Sequence, residues 1–148
     1  MLGFLNVKDE SVIVEFEDDY RDAKAYHRRA EQFLQEGQHS SVVFNVAAVA
    51  LERYLVALCE LHGIAPGNHN YTCLMDAVEE LVNVPPELNQ AIRSLDRIFG
   101  ICSLDDYYHG TPEPDDTTRV LAMCAQVQNL FEPRKIAEVR TALTQYAI

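Results

Sequence analysis

The chain has 148 residues, of which 48% are hydrophobic and 24% charged, and a formal net charge of −11. Such a length suits one domain with a sizeable core, and such a composition is that of a globular protein rather than a disordered one. The acidity opposes non-specific binding to nucleic acid or to an anionic membrane surface, so any phosphate contact has to rest on a small local basic patch.

Residues 1–16 read as an N-terminal arm and residues 17–148 as a helical bundle. The opening MLGFLNVKDE shows no basic region followed by an apolar run and a cleavage site, so a cytoplasmic location is expected. Ser11–Phe16, SVIVEF, is β-branched and loosely alternating, which suggests a short strand or an extended arm packed on the bundle or on another copy. Asp18 and Asp19 offer capping oxygens and negative charge at a helix start. Ala23, Tyr26, Ala30, Phe33 and Leu34 then recur at helical spacing until Gly37. The other face carries Arg21, Lys24, Arg28 and Arg29, the densest basic stripe in the chain, whose simplest reading is a solvated face balanced by Asp22 and Glu31.

Ser41–Leu61, SVVFNVAAVALERYLVALCEL, is apolar on nearly every side and is expected to be the buried helix around which the others pack, with Ser40 or Ser41 as its cap and Gly63 as its stop. It is long enough to cross a membrane, but Asn45, Glu52, Arg53 and Glu60 would be costly there, so no membrane contact is expected. Asn45 and Glu52 lie roughly 20° apart around a helix and share a polar stripe, which has to face a partner, a site or a seam.

The loop Ile64–Asn70 has turn chemistry, and a third helix follows with Leu74, Met75, Val78, Leu81 and Val82 on one side. Pro85 and Pro86 end it and open a fourth, with Leu88, Ala91, Ile92, Leu95, Phe99 and Cys102 as its apolar face. Ser103–Pro114 is a polar loop. Asp115 and Asp116 favour the start of a fifth helix through Val120, Leu121, Cys124, Val127 and Phe131, and Pro133 opens a last short one. Five or six helices joined by short loops mean an all-α, up-and-down bundle of four main helices with one or two accessory ones, mostly antiparallel.

Four sequence features resemble one family. They are Ala50–Leu51–Glu52–Arg53–Tyr54–Leu55–Val56–Ala57–Leu58, then Gly63–Ile64–Ala65–Pro66, then His69 with Leu74, then Leu95–Asp96–Arg97. Together they make the chain similar to HEPN-domain proteins, the likeness covering most of its length. The resemblance implies a helical bundle, often a homodimer. Active relatives are metal-independent ribonucleases with an arginine and a histidine, separated by four to six intervening residues, at the dimer seam. Others pair with minimal nucleotidyltransferases in toxin–antitoxin systems or are inactive binding modules. Arg97 and His109 have eleven residues between them and do not fit that spacing. Arg21 and His27 do fit it, but in the first helix rather than the late ones.

The candidate sites follow. His109 in Tyr107–Tyr108–His109–Gly110, with Arg97 or Arg93, could give a ribonuclease its imidazole and its cation, and the two tyrosines could stack bases; a partner contact or a helix cap is the simpler reading. Asn45 and Glu52, with Tyr107 and Tyr108, are the ligand-binding candidates; the simpler reading pairs Glu52 with Arg97 or another arginine. Cys59 and His62 with His69 and Cys73 superficially resemble a zinc site, against which the cysteines, Cys59, Cys73, Cys102 and Cys124, are most simply buried thiols. No cofactor motif is present. The resulting expectation is a non-enzymatic nucleotide- or partner-binding module, a homodimer, with a nucleotidyltransferase and RNA among its possible partners. A metal-independent ribonuclease and a purely structural interaction domain are the alternatives.

Overall fold

A computed structural model of the chain describes residues 7–98 and 112–146. Six helices and no strand occur among the described residues: α1 (Val7–Gln35), α2 (Ser40–Leu61), α3 (Tyr71–Leu81), α4 (Pro86–Ile98), α5 (Pro114–Gln128) and α6 (Pro133–Tyr146).

The long first helix departs from the sequence reading. Residues 11–16 are helical, not extended, because Val12, Ile13 and Phe16 continue the apolar stripe of Tyr20, Ala23, His27 and Ala30 towards the N-terminus and bury it against the bundle. The alternation that suggested a strand is therefore a short stretch of helical periodicity. Asp18 and Asp19 consequently lie in the middle of the helix and cap nothing. The cap of α2 also differs: His39 Nδ1 accepts from the Ser41 amide at 3.1 Å, so an imidazole takes the place expected of a serine.

The stops are as the sequence reads. Gly37 and Gly63 have φ of +76° and +82°, left-handed values that cost a residue with a Cβ about 1–2 kcal/mol. Beside them the Gln38 amide reaches the Phe33 carbonyl and the Ile64 amide the Cys59 carbonyl, closing each helix end.

α2 is the hub. It is the described helix long and apolar enough to cross a membrane, and 67% of its most apolar window is covered by the rest of the chain. α1 packs along it in the opposite direction, since only residues 36–39 join the two helices and Glu15 acts on Glu60 while Asp19 meets Arg53. α5 packs on a second side and runs parallel to α2, since Thr117 bonds the Ser40 carbonyl and the Cys124 thiol the Ala47 carbonyl. α3 and α4 form an antiparallel hairpin: Asp96 near the end of α4 accepts from the Tyr71 and Thr72 amides, both at 2.9 Å, and so caps the start of α3. Arg93 ties the same pair together farther along. Tyr71 then donates to the Ala48 carbonyl and fastens the hairpin to α2. The antiparallel expectation thus holds for α1–α2 and α3–α4, while α5 runs parallel to α2.

One strip of α2 stays uncovered by the described residues, with Val42 and Val49 40% and 39% exposed and Asn45 between them. Leu55, on the enclosed side, is fully buried. Urea denaturation is expected to show a loss of about 2–5 kcal/mol for Leu55→Ala, and under about 0.5 kcal/mol for Val49→Ala, in keeping with cavity formation in a core and its absence on a surface.

Candidate ligand cleft

The aromatic centre of the bundle sets the wall of a cleft among the described residues. Tyr20 stacks on Phe131 with ring centroids 4.6 Å apart and on Phe16 at 5.3 Å, and Tyr54 meets Tyr20 edge-on at 6.4 Å. Offset and edge contacts of this kind suit the ring quadrupoles and fix the ring planes. They hold α1 against the turn between α5 and α6, where a cleft of about 960 Å³ is lined by Tyr20, Lys24, Gln128, Asn129, Ile136 and Arg140 among others.

Two cations reach this cleft from different helices. The Lys24 ammonium sits 4.4 Å from the centroid of the Tyr20 ring, one turn along α1. Arg140 Nε donates to Glu17 Oε1 at 2.8 Å, which orients the guanidinium across the gap between α6 and α1. Burial raises the Tyr20 hydroxyl above its ordinary range, opposed by a hydrogen bond with Gln128 and by the charge of Arg140, so it stays a neutral phenol at physiological pH. The result is an apolar floor from Phe131, Pro133 and Ile136, two amide side chains and two cationic side chains, Arg140 being paired with the Glu17 carboxylate. This chemistry suits an anionic group attached to a flat or apolar body.

The residues singled out from sequence fall elsewhere. Asn45 is exposed on the uncovered strip of α2, and Glu52 approaches His69 with Oε1 3.8 Å from Nδ1. The two share a side of the helix as expected, but Glu52 meets a histidine rather than the anticipated arginine. Arg93 does not stand free as a catalytic cation: it holds Asp76 at 2.7 Å, Glu79 at 3.2 Å and Asn89 at 2.7 Å, and its guanidinium is raised further by the Asp76 bond. Its work is joining α3 to α4. Arg97 is exposed at the end of α4. Tyr107, Tyr108, His109 and Cys102 lie outside the described residues.

The zinc-like set does not converge. Cys59 is a core thiol that burial pushes up to about 11, His62 caps the end of α2, His69 faces Glu52, and Cys73 lies half-buried on α3. Among the described residues no three or more histidine, cysteine, aspartate or glutamate side chains are grouped to hold a metal ion. The Arg21–His27 pair is also separated. Arg21 faces outward beside Asp18 and Asp22, whereas His27 is 9% exposed, its Nδ1 2.9 Å from the Tyr54 hydroxyl. Four to six residues along a helix do not keep two side chains on one face unless the interval falls near a whole turn, and six does not.

Lys24 belonged to the basic stripe that sequence read as solvated, and Arg21, Arg28 and Arg29 on that stripe are indeed exposed. Nothing local marked Arg140, Gln128 or Asn129. Arg140 meets Glu17 across 123 positions of sequence, a pairing that only the folded chain creates.

A family model described as HEPN domain matches residues 16–146. No curated protein and no solved structure matches.

Burial lowers the His27 imidazole below its ordinary value, the nearby Glu31 opposing the shift. A folded-state value below the unfolded one means that the stabilisation is complete above pH 6.5 and fades as the pH falls through that point. Thermal melts between pH 7.5 and 5 are expected to lose part of this acid sensitivity in His27→Gln, which can still meet the Tyr54 hydroxyl but does not titrate in that window.

Proposed function

This chain belongs to the HEPN domain family, and on that premise we propose that it is a nucleotide- or RNA-binding helical module that acts without catalysis and takes phosphate in the cleft between α1 and α6. The observation that carries the reading is the meeting of Lys24 and Arg140 over an apolar floor in a chain whose net charge is −11. A phosphate requires such a local reversal of sign before an acidic protein can hold it. Arg140 brings a planar fork suited to two phosphate oxygens and Lys24 a compact charge, while Ile136 and Pro133 offer an apolar surface to a base.

The family resemblance extends the proposal to partners: a second copy of the chain, and a minimal nucleotidyltransferase acting with it in a toxin–antitoxin system. The uncovered Val42, Asn45 and Val49 strip on α2 favours a protein partner there, since apolar side chains left on an otherwise enclosed helix gain by being covered. The ribonuclease alternative, with His109 and Arg97, keeps Arg97 as an exposed cation but loses Arg93 to its ion pairs with α3.

Calorimetric titration with ATP, GTP and a short oligoribonucleotide in EDTA tests the reading. Binding is expected to weaken by about 10-fold or more in Lys24→Ala and in Arg140→Ala, the scale of a charged hydrogen bond, and to fall with added salt. Asn45→Ala is expected to leave it unchanged. Loss of binding in Asn45→Ala or Glu52→Ala alone would move the site to α2, and no heat with any ligand would leave only the interaction role. RNA cleavage in EDTA that disappears in His109→Ala would establish the enzyme instead.

A further inference from the structure

Three carboxyl groups meet where the N-terminal half of α1 crosses the C-terminal half of α2. Glu60 of α2 is 2% exposed, and the carboxyls of Asp19 and Glu15 on α1 are near enough to act on it. Arg53, about two turns earlier on α2, is the cation of the group. It is committed to Asp19, with Nη1 3.1 Å from Oδ1. The Arg53 Nε and the Glu60 Oε1 are enclosed without a partner of their own, Glu60's close neighbours being carboxyls that ordinarily only accept.

An ionised Glu60 would be a buried charge facing two more of its own sign with no cation assigned to it, an arrangement far more costly than a neutral acid. The neutral acid also supplies what the cluster otherwise lacks, an O–H that can donate to Asp19 or Glu15. We infer that Glu15, Asp19 and Glu60 form a proton-held latch: the proton they share keeps the N-terminal half of α1 seated on α2, and its loss lets that half lift.

The groups acting on Glu60 are Glu15 and Asp19 from α1, with the Cys59 thiol beside it on α2, and Arg53 joins the cluster through Asp19. Burial first, then Asp19 and Glu15, push the Glu60 carboxyl up to about 9, while Cys59 stays protonated until about 11. The proton therefore belongs to the carboxyl cluster as a unit and leaves on the alkaline side. A folded-state value raised above the unfolded 4.5 makes the stabilisation complete below 4.5, declining as the pH rises, and gone above about 9. The latch is closed at neutral pH and opens with base. It stands on contacts between α1 and α2 and does not depend on any ligand in the neighbouring cleft.

Hydrogen exchange of the full chain, followed by mass spectrometry from pH 6 to 10 and divided by the intrinsic chemical rate at each pH, reads the latch directly. Protection of residues 11–20 is expected to fall by about 10-fold for each unit through which the cluster ionises, with α5 unchanged. Glu60→Gln, which keeps a donor and cannot ionise, should flatten that profile. The latch is overturned if the alkaline loss persists in Glu60→Gln, if residues 11–20 show no pH dependence, or if α5 opens in step with them. Should Glu60→Gln fail to fold, a carboxyl-carbon NMR titration of the unmutated chain decides the matter: a Glu60 carboxyl still protonated at pH 7 supports the latch, and one ionised below pH 6 overturns it.

Discussion

The enclosure of α2 is the constraint from which the rest of the structure follows. A helix with apolar residues on nearly every side cannot rest against a single neighbour, so α1, α5, α3 and α6 all have to reach it. α1 supplies most of the cover along one side, and its length is a consequence: a helix that began at Asp18 would take Ile13 and Phe16 out of the core cluster they share with Tyr54, Leu58 and Leu61. The hydrophobic gain of burial near 25 cal/mol per Å² outweighs the poor helix preference of Val12 and Ile13, which are stiff at χ1 but not forbidden.

Polar groups then decide how the outer helices are fastened. The α3–α4 hairpin is held by Asp96 at the α3 amides, by Arg93 between the two helices and by Tyr71 at the Ala48 carbonyl. Asp96 is nearly fully buried, so its charge has to be met by those amides. A carboxylate at a helix start also faces the positive end of the helix dipole, an attraction that adds to the cap. The Leu95–Asp96–Arg97 feature noted in the sequence therefore has a structural meaning in its first two residues, Leu95 filling the core and Asp96 capping α3. Arg97 alone is left facing outward.

What was legible in the sequence is what depends on local periodicity and on glycine and proline. α2, its stop at Gly63, the proline starts of α4 and α6 and the end of α1 at Gly37 all follow from residues within a turn of the feature itself. What was not legible depends on residues far apart. Ser11–Phe16 is ambiguous because six residues fit either period until the face they extend is known. The destinations of Arg93 and Arg140 were hidden because a long cationic side chain finds its carboxylate only after the helices have met. His27 looked like part of a catalytic spacing, yet a histidine on the apolar side of a helix beside a buried tyrosine has its hydrogen bond satisfied within the core.

The same stretch of α1 carries two opposite electrostatic settings, and helix geometry explains how. With about 100° between successive residues, the buried stripe of Val12, Phe16 and Ala23 has Glu15 and Asp19 on one flank and Glu17, Tyr20 and Lys24 on the other. The first flank meets Glu60, where carboxyls crowd together and a proton is retained. The second meets Arg140 and the apolar start of α6, where positive charge gathers. A net-acidic chain can in this way concentrate its acidity in a seam that neutralises part of it, and leave the opposite flank of one helix to Lys24 and the Glu17–Arg140 pair. Moving Lys24 by a single position would turn it about 100° around α1 and out of that arrangement. The cleft thus depends on the register of α1, which is fixed by Phe16 and Ile13 against the hub helix and not by the charged residues themselves.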